Sequence, residues 1–334
     1  MTATPHVVGC PMPWHVPERD RLSEDMSSGR LHHGLLLAGP SGIGKRGLAE
    51  WLLRALLCQS PVRGDACGHC RGCSLVAAGS HPDCLRLSPE EPGKQIKIAQ
   101  VREELVDFVV RTASIAARKV VLIEPAEAMN LSTANCLLKS LEEPSADTFI
   151  VLVSDAPVRL LPTIRSRCRA VPLRPPSPEQ ALAWLVAERG ETDAGDLLGV
   201  ASGRPLEALR LATADALRQF DRAADLLERA ARPDAWISGL ADTVTDLDLR
   251  ELLGWMQVYL TDLSRWLVDP ARSRVPRAER VHRALRDRTT PRAVATCLRE
   301  TLRASRDAMS TANPNRQLML EALLHGWSRS SRSV

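Results

Sequence analysis

Aromatic residues are scarce in this 334-residue chain, with seven Trp, three Phe and one Tyr making 3% in all. A chain so poor in strand-favouring aromatics and so rich in Ala, Leu and Arg favours helices over an all-β architecture. Long apolar runs are missing too. None reaches about 18 residues, which excludes a simple membrane-spanning helix. The segment from Met1 to Arg21 holds Pro5, Pro11, Pro13 and Pro17 and no apolar stretch of signal-peptide length, so a cytoplasmic location is expected. Net charge is small, with 44 basic against 40 acidic residues, or +4. That excludes a strongly acidic or polybasic protein but leaves room for a local basic patch. In such a setting the nine cysteines read as reduced thiols or metal ligands rather than a disulfide framework.

What is present is enough apolar material, 44%, to build real cores, over a length suggesting about two domains. The first half alternates strand and helix patterns. Apolar runs at 35–38, 120–123 and 149–153 read as buried strands. Helices are expected from about Lys45 to Leu57 and from a Ser132 cap to Glu143, stopped by Pro144. Val101, Leu105, Phe108 and Val109 recur at helical spacing. This alternation predicts an α/β fold with a parallel sheet wrapped by helices. The proline-rich stretch Leu173–Pro178 marks a boundary, and everything beyond it reads helical. A small unit is expected to about 212, broken at Gly203-Arg204-Pro205. Longer amphipathic helices follow, one with Leu249, Leu252, Leu253, Met256, Leu260, Leu263 and Leu267 on one face.

Gly39-Pro40-Ser41-Gly42-Ile43-Gly44-Lys45-Arg46 follows the first strand and opens a helix, the context of a phosphate-binding P-loop. Glycine backbone N–H groups can turn around phosphates while Lys45 reaches the terminal ones. The next position should carry a hydroxyl for Mg²⁺, but it is Arg46, and a guanidinium cannot ligate a cation. The second nucleotide motif should end an apolar strand in two acids. Here Glu124 keeps a carboxylate at the metal position, open to a second reading as a strand-end acid without a ligand. Pro125 stands where the base belongs, and Glu127 lies too far along to replace it. The fold signal is intact and the hydrolysis signal is damaged.

Cys58, Cys67, Cys70 and Cys73 follow a C-x8-C-x2-C-x2-C pattern. Three lie on one tight loop with Gly68 and Gly72, and Cys58 ends the P-loop helix. Four thiolates without an open position describe a structural zinc site, with a redox pair or iron–sulfur cluster as alternatives. His69 and His81 read as non-ligands. Cys10, Cys84, Cys136, Cys168 and Cys297 read as small buried residues.

These motifs, together with His33–Leu37, Ala78–Asp83, Val120–Met129, Asn135–Pro144, Leu161–Cys168 and Asn315–Leu318, resemble the clamp-loader subunits of bacterial DNA polymerase III, in the AAA+ class. The resemblance runs along essentially the whole chain. It implies three parts: an AAA+ P-loop domain with a zinc-binding insertion at 1–173, a small helical lid at 174–212 and a helical collar at 213–334. It implies a hetero-pentamer with other clamp-loader subunits, which opens a sliding clamp and closes it on primed DNA. The ATP-hydrolysing relatives carry Thr, an Asp-Glu pair and a lid Arg where this chain has Arg46, Glu124-Pro125 and Leu206, with Arg204 two residues away. The expected role is therefore a non-hydrolysing stator. Zn²⁺ is its expected cofactor, and ATP/Mg²⁺ is held mainly by the neighbouring subunit. Gly39, Gly42, Gly44, Lys45, Arg46 and Glu124 would form a vestigial nucleotide site.

Within Ser166-Arg167-Cys168, Arg167 matches the family's arginine finger, which acts on a nucleotide in the adjacent subunit; a surface salt bridge is the plainer alternative. Lys139 matches a helix that faces DNA, or lies on a solvated face. From Arg265 to Arg306 twelve arginines stand against Asp269, Glu279, Asp287 and Glu300. They face DNA, acidic partners or only water. Two other functions fit parts of the sequence: an ATPase in its own right, and a zinc-bearing DNA-binding module.

Overall fold

The computed structural model describes residues 11–91, 93–97, 100–190, 192–212, 215–308 and 315–331. The chain divides into two compact units, Met1–Pro175 and Pro176–Val334.

The first unit is a five-stranded, all-parallel sheet. Its strands are β1 (Gly34–Ala38), β2 (Cys84–Leu87), β3 (Lys119–Ile123), β4 (Thr148–Ser154) and β5 (Arg169–Pro172), in the spatial order β2-β3-β4-β1-β5. Side chains alternate across a strand, so each strand feeds two cores. Leu35, Leu37, Val120, Leu122, Val151 and Val153 enter one core. Leu36, Val121, Ile123, Ile150 and Leu152 enter the other. Apolar side chains on both faces explain why the central strands read as unbroken apolar runs. Helices α1 (Val16–Ser27) and α2 (Lys45–Leu57), then α3 (Arg71–Ala77), α4 (Val106–Val110), α5 (Leu131–Glu142) and α6 (Pro162–Arg167), complete the unit. Leu48 and Leu52 of α2 join the first core, whereas Leu137 of α5 and Ile164 of α6 join the second.

Two sequence expectations shift. Asn130, not Ser132, caps α5, its Oδ1 accepting the Thr133 N–H at 2.8 Å. Strands β2 and β5 carry no clear apolar run. The first pairs Cys84 with Val120, and the second pairs Leu35 with Arg169, as the two edges of the sheet.

The second unit is helical throughout its described residues: α7 (Pro178–Arg189), α8 (Ala194–Val200), α9 (Pro205–Leu211), α10 (Ala216–Ala230), α11 (Ile237–Asp242), α12 (Leu249–Val268), α13 (Glu279–Leu285), α14 (Pro291–Ala308) and α15 (Arg316–Ser331). Helix α12 runs through its middle, with Leu252, Leu253, Met256, Tyr259, Leu260 and Leu263 fully buried. One continuous core extends from Ala181 to Trp327. Trp327 Nε1–H donates to the Leu227 carbonyl at 2.8 Å, which seats α15 on α10. No helix among the described residues is long and apolar enough to cross a membrane.

Candidate functional sites on the first unit

In a parallel sheet the strand ends gather at one edge, and ligands of such folds sit where the connections part to opposite faces. Here β1 delivers the Gly39–Lys45 loop, β3 delivers Glu124, and β4 delivers Asp155. Gly44 caps α2 with φ +94°, and a Cβ there would meet Met12 Cγ at 2.3 Å. Glycine is thus required both by the backbone and by the residue lying over it. Trp14 Nε1–H donates to the Ile43 carbonyl at 2.8 Å, so the Met12–His15 segment lies on the loop. His15 is buried, and neither ring nitrogen has a hydrogen-bond partner among the described residues. Burial, aided by the nearby Lys45 charge, lowers its pKa to about 4.

Lys45 is itself buried, at 4% exposure. Its Nζ donates to the Pro40 carbonyl at 2.6 Å and pairs with the Asp155 carboxylate. The next residue, Arg46, is exposed, and its Nε stands 3.5 Å from Glu124 Oε2. Burial pushes the Glu124 carboxyl up, and the Arg46 charge opposes that rise. Glu127 turns to the backbone: its Oε1 accepts the Asp155 N–H at 2.9 Å, while Oε2 is buried without a partner among the described residues. The loop keeps the shape of a phosphate cradle. Its lysine, however, is engaged by a carboxylate of the same chain, and its Arg46 by Glu124. Asp155 and Met12 are the residues that sequence reasoning missed here. Neither belongs to a local motif, and the sheet alone brings Asp155 to the loop.

At the other end of α2 the four cysteines converge. Their sulfurs all lie within 4.8 Å of one another, with Cys58–Cys70 at 3.9 Å and Cys67–Cys73 at 4.0 Å. A tetrahedron of thiolates about 2.3 Å from a metal has sulfurs about 3.8 Å apart, and a disulfide would need about 2.05 Å. The set therefore fits a tetrahedral metal ion and no disulfide. Gly72 permits the approach, since a Cβ there would meet the Leu57 carbonyl at 2.5 Å. The Cys67 N–H points at Cys58 Sγ (3.2 Å) and the Cys73 N–H at Cys70 Sγ (3.4 Å). Burial raises the Cys70 thiol, but donors led by the Cys73 N–H outweigh it and bring it down to about 6. Burial takes Cys73 up to about 12. His69 bonds the Cys67 carbonyl. His81 Nδ1 accepts the Asp83 N–H. Neither histidine belongs to the four-residue cluster. Asp83 in turn accepts three backbone N–H groups, from Ser114, Ile115 and Ala116 at 2.6–2.8 Å, and so ties the following loop to β2. Of the other cysteines, Cys168 and Cys297 are buried, Cys84 and Cys136 are half-buried, and Cys10 lies outside the described residues.

Arg167 ends α6. One guanidinium nitrogen bonds the Thr163 carbonyl at 3.1 Å and the other meets Glu142 Oε1 at 2.5 Å. Its side chain stays 36% exposed, so two contacts fix its direction while part of its donor fork faces outward. Arg169 pairs with Asp25 on the other side of the motif. Glu142 lies on α5 three residues beyond Lys139, which is exposed. The pairing partner, Glu142, was not singled out by sequence reasoning either.

Residues 17–177 match the sequence family described as "DNA polymerase III, delta subunit". The chain is 41% identical over 302 residues to DNA polymerase III subunit delta' of Pseudomonas aeruginosa, covering 88% of this chain and 91% of that one. It is 32% identical to the Escherichia coli subunit of the same name, over 93% of each chain. A solved gamma subunit-related protein of Thermotoga maritima shares 19% identity over 95% of this chain and 99% of its own, with a TM-score of 0.43.

Proposed function

The chain belongs to the family of DNA polymerase III delta' subunits, and from that premise we propose that it is a clamp-loader subunit that activates a neighbour rather than hydrolysing ATP itself. The observation that carries this reading is the contrast between its lysine and its arginine. Lys45, which should meet phosphate, is buried against Asp155 and the Pro40 carbonyl. Arg167, which the family motif marks as the finger, stands at the surface with its rotamer held by Glu142 and Thr163. In this reading Gly39, Gly42, Gly44, Lys45, Arg46 and Glu124 are the remains of a nucleotide site. Pro125 offers no base to activate water.

Arg167 reaches a γ-phosphate bound by the adjacent ATPase subunit. There its fixed positive charge offsets the charge that spreads over the phosphoryl oxygens as water attacks and ADP leaves. Lys139 meets a phosphate of primed DNA without reading bases. The four cysteines hold Zn²⁺ in a closed tetrahedral set, which braces the end of α2 against α3 and leaves no position for substrate. The sliding clamp and the other subunits of a hetero-pentamer are the partners, with 174–212 as a lid and 213–334 as the collar that joins them.

The test is the loader reconstituted with Arg167→Ala in this chain. DNA-stimulated ATP hydrolysis is expected to fall by about 10³-fold, the lower end of the range for fingers of this kind, with assembly intact on a sizing column. Unchanged turnover in an assembled complex rules out the finger.

A further inference from the structure

Most arginines of the 265–288 segment are held by the protein itself, Arg274 alone among them being exposed with no side-chain partner among the described residues. Arg277 grips Asp221 through two hydrogen bonds, at 2.8 and 2.6 Å. Arg280 meets Asp225 at 2.5 Å, and Arg288 stands 3.6 Å from Glu228. Positions 221, 225 and 228 follow one another up a single face of α10. That acidic row therefore offsets part of the charge of the basic 277–288 segment from within, Glu228 being shared with Arg232 at 3.0 Å. Arg265, Arg272 and Arg283 each pair with an acid three or four residues away. Arg286 lies over the Trp266 ring at 6.0 Å.

Four arginines on α14 are treated differently. Arg292, Arg299, Arg303 and Arg306 are all exposed, and none has an ion-pair partner among the described residues. Among the described residues their one side-chain hydrogen bond runs from Arg299 to Thr296 Oγ1 at 3.4 Å. At 100° per residue they fall within about 60° of one another and span about 21 Å along the helix. The opposite face of α14, with Val294, Cys297, Thr301 and Ala304, is buried. Glu300 and Asp307 sit to the side of the row, and Glu300 Oε2 is directed at Gly326 of α15. Like charges one turn apart repel, as Arg299 does with Arg303 and Arg303 with Arg306. A helix face that serves solvation alone can avoid this by mixing signs, as α10 does with Arg218, Asp221, Arg222 and Asp225.

We propose that this row on α14 is a docking surface for the phosphate backbone of double-stranded nucleic acid. Charge complementarity selects a polyanion, and the planar guanidinium fork matches phosphate oxygens. The row has no aromatic side chain on which unpaired bases could stack, and no Asn or Gln to read base edges. It therefore follows a duplex backbone without sequence preference. The inference is independent of the Arg167 reading, because α14 lies in the other unit.

The test uses the full chain, with fluorescence anisotropy on a mixed-sequence duplex of about 20 base pairs over a salt series. Changing all four arginines to Ala is expected to weaken binding by roughly 10–100-fold. It also lowers the slope of log affinity against log salt by about 3–4, near 0.9 per phosphate contact. The Arg299→Ala/Arg303→Ala pair loses about half of that slope. Replacing all four by Lys keeps most of it, and an Arg272→Ala/Arg283→Ala control off the row changes little. Melting temperature is read for each variant, and the four-Ala chain is expected to melt no lower than the parent. Two results overturn the proposal: no duplex binding by the parent chain at low salt, or a slope unchanged by the four-Ala substitution, whether alone or together with lost co-purification with other DNA polymerase III subunits. That loss would assign the row to an acidic protein partner instead.

Discussion

The two ends of helix α2 carry two candidate ligand sites whose side chains are arranged in opposite ways. At its start Lys45 is committed to Asp155 and Pro40, and Arg46 to Glu124, so the groups that should receive phosphate are satisfied by the protein itself. At its end Cys58 meets Cys67, Cys70 and Cys73 in a set whose spacing fits a tetrahedral ion. One helix thus joins a candidate phosphate cradle whose cations are already paired and a thiol set with tetrahedral spacing, about 20 Å apart at 1.5 Å per residue. The helix itself is held by packing, with eleven of its thirteen residues buried. The scaffold depends on packing, while the chemistry at each end depends on a few side chains. Either end can therefore lose its function without unfolding the other.

The largest test of that contrast is metal removal. Chelation, or Cys70→Ser, is expected to abolish stoichiometric zinc in a metal analysis and to lower the melting temperature by about 10 °C, for a loss of several kcal/mol in a unit of this size. The first unit has two hydrophobic cores of its own, so complete unfolding at room temperature is not expected. A chain that holds no metal and melts unchanged after Cys70→Ser would reverse the comparison and make both ends of α2 vestigial.

Next in size is the pH response of the P-loop end. His15 is held at about 4, below its unfolded value near 6.5. The unfolded chain therefore binds the proton first, and stability is complete above about pH 6.5 and falls as pH drops toward 4. The whole window is worth roughly 3 kcal/mol, of which about 1 is lost by pH 5.5. His282 of the second unit, buried beside Asp262, is also lowered to about 4 and follows the same sign. Urea midpoints of the parent and His15→Leu at pH 7.5 and 5.5 separate the two. The variant should lose about 1 kcal/mol less between those values. Equal pH slopes would mean that the Met12–His15 cover opens before His15 is charged.

Both ends of α2 were legible in the sequence, and what occupies them was legible only in part. The cysteine set is local: three members lie three residues apart and the fourth ends the preceding helix, so spacing alone announces it. The strand–loop–helix of the P-loop is equally local. Asp155, by contrast, is 110 positions from Lys45, and it reaches the lysine because β1 and β4 pair in register, Ala38 beside Ser154. Met12 over Gly44, Glu142 on Arg167 and the α10 acids on Arg277 to Arg288 are contacts of the same long-range kind. The edge strands escaped for another reason. Arg169–Pro172 is mostly exposed and ends in proline, and Cys84–Leu87 has a single fully buried residue. Neither carries the apolar run that announces an internal strand.

The smallest expected effect is that of Lys45→Ala, and the asymmetry of the Lys45–Asp155 pair is the informative part. Lys45 is 4% exposed and Asp155 48%. Asp155→Ala leaves a buried ammonium with the Pro40 carbonyl as its one hydrogen-bond acceptor among the described residues, and should cost about 1–3 kcal/mol. Lys45→Ala leaves a carboxylate that water can reach, and should cost about 1 kcal/mol or less. The double variant should cost less than the sum of the two, because removing both partners removes the orphan. In the reconstituted loader Lys45→Ala should change ATP turnover less than about two-fold, whereas loss of a working P-loop lysine would cost far more. A nucleotide that raised the melting temperature of the isolated chain, with the rise lost in Lys45→Ala, would break the comparison at its base. Asp155 would then be a counter-ion that gives way to phosphate, and the two ends of α2 would both be sites in use.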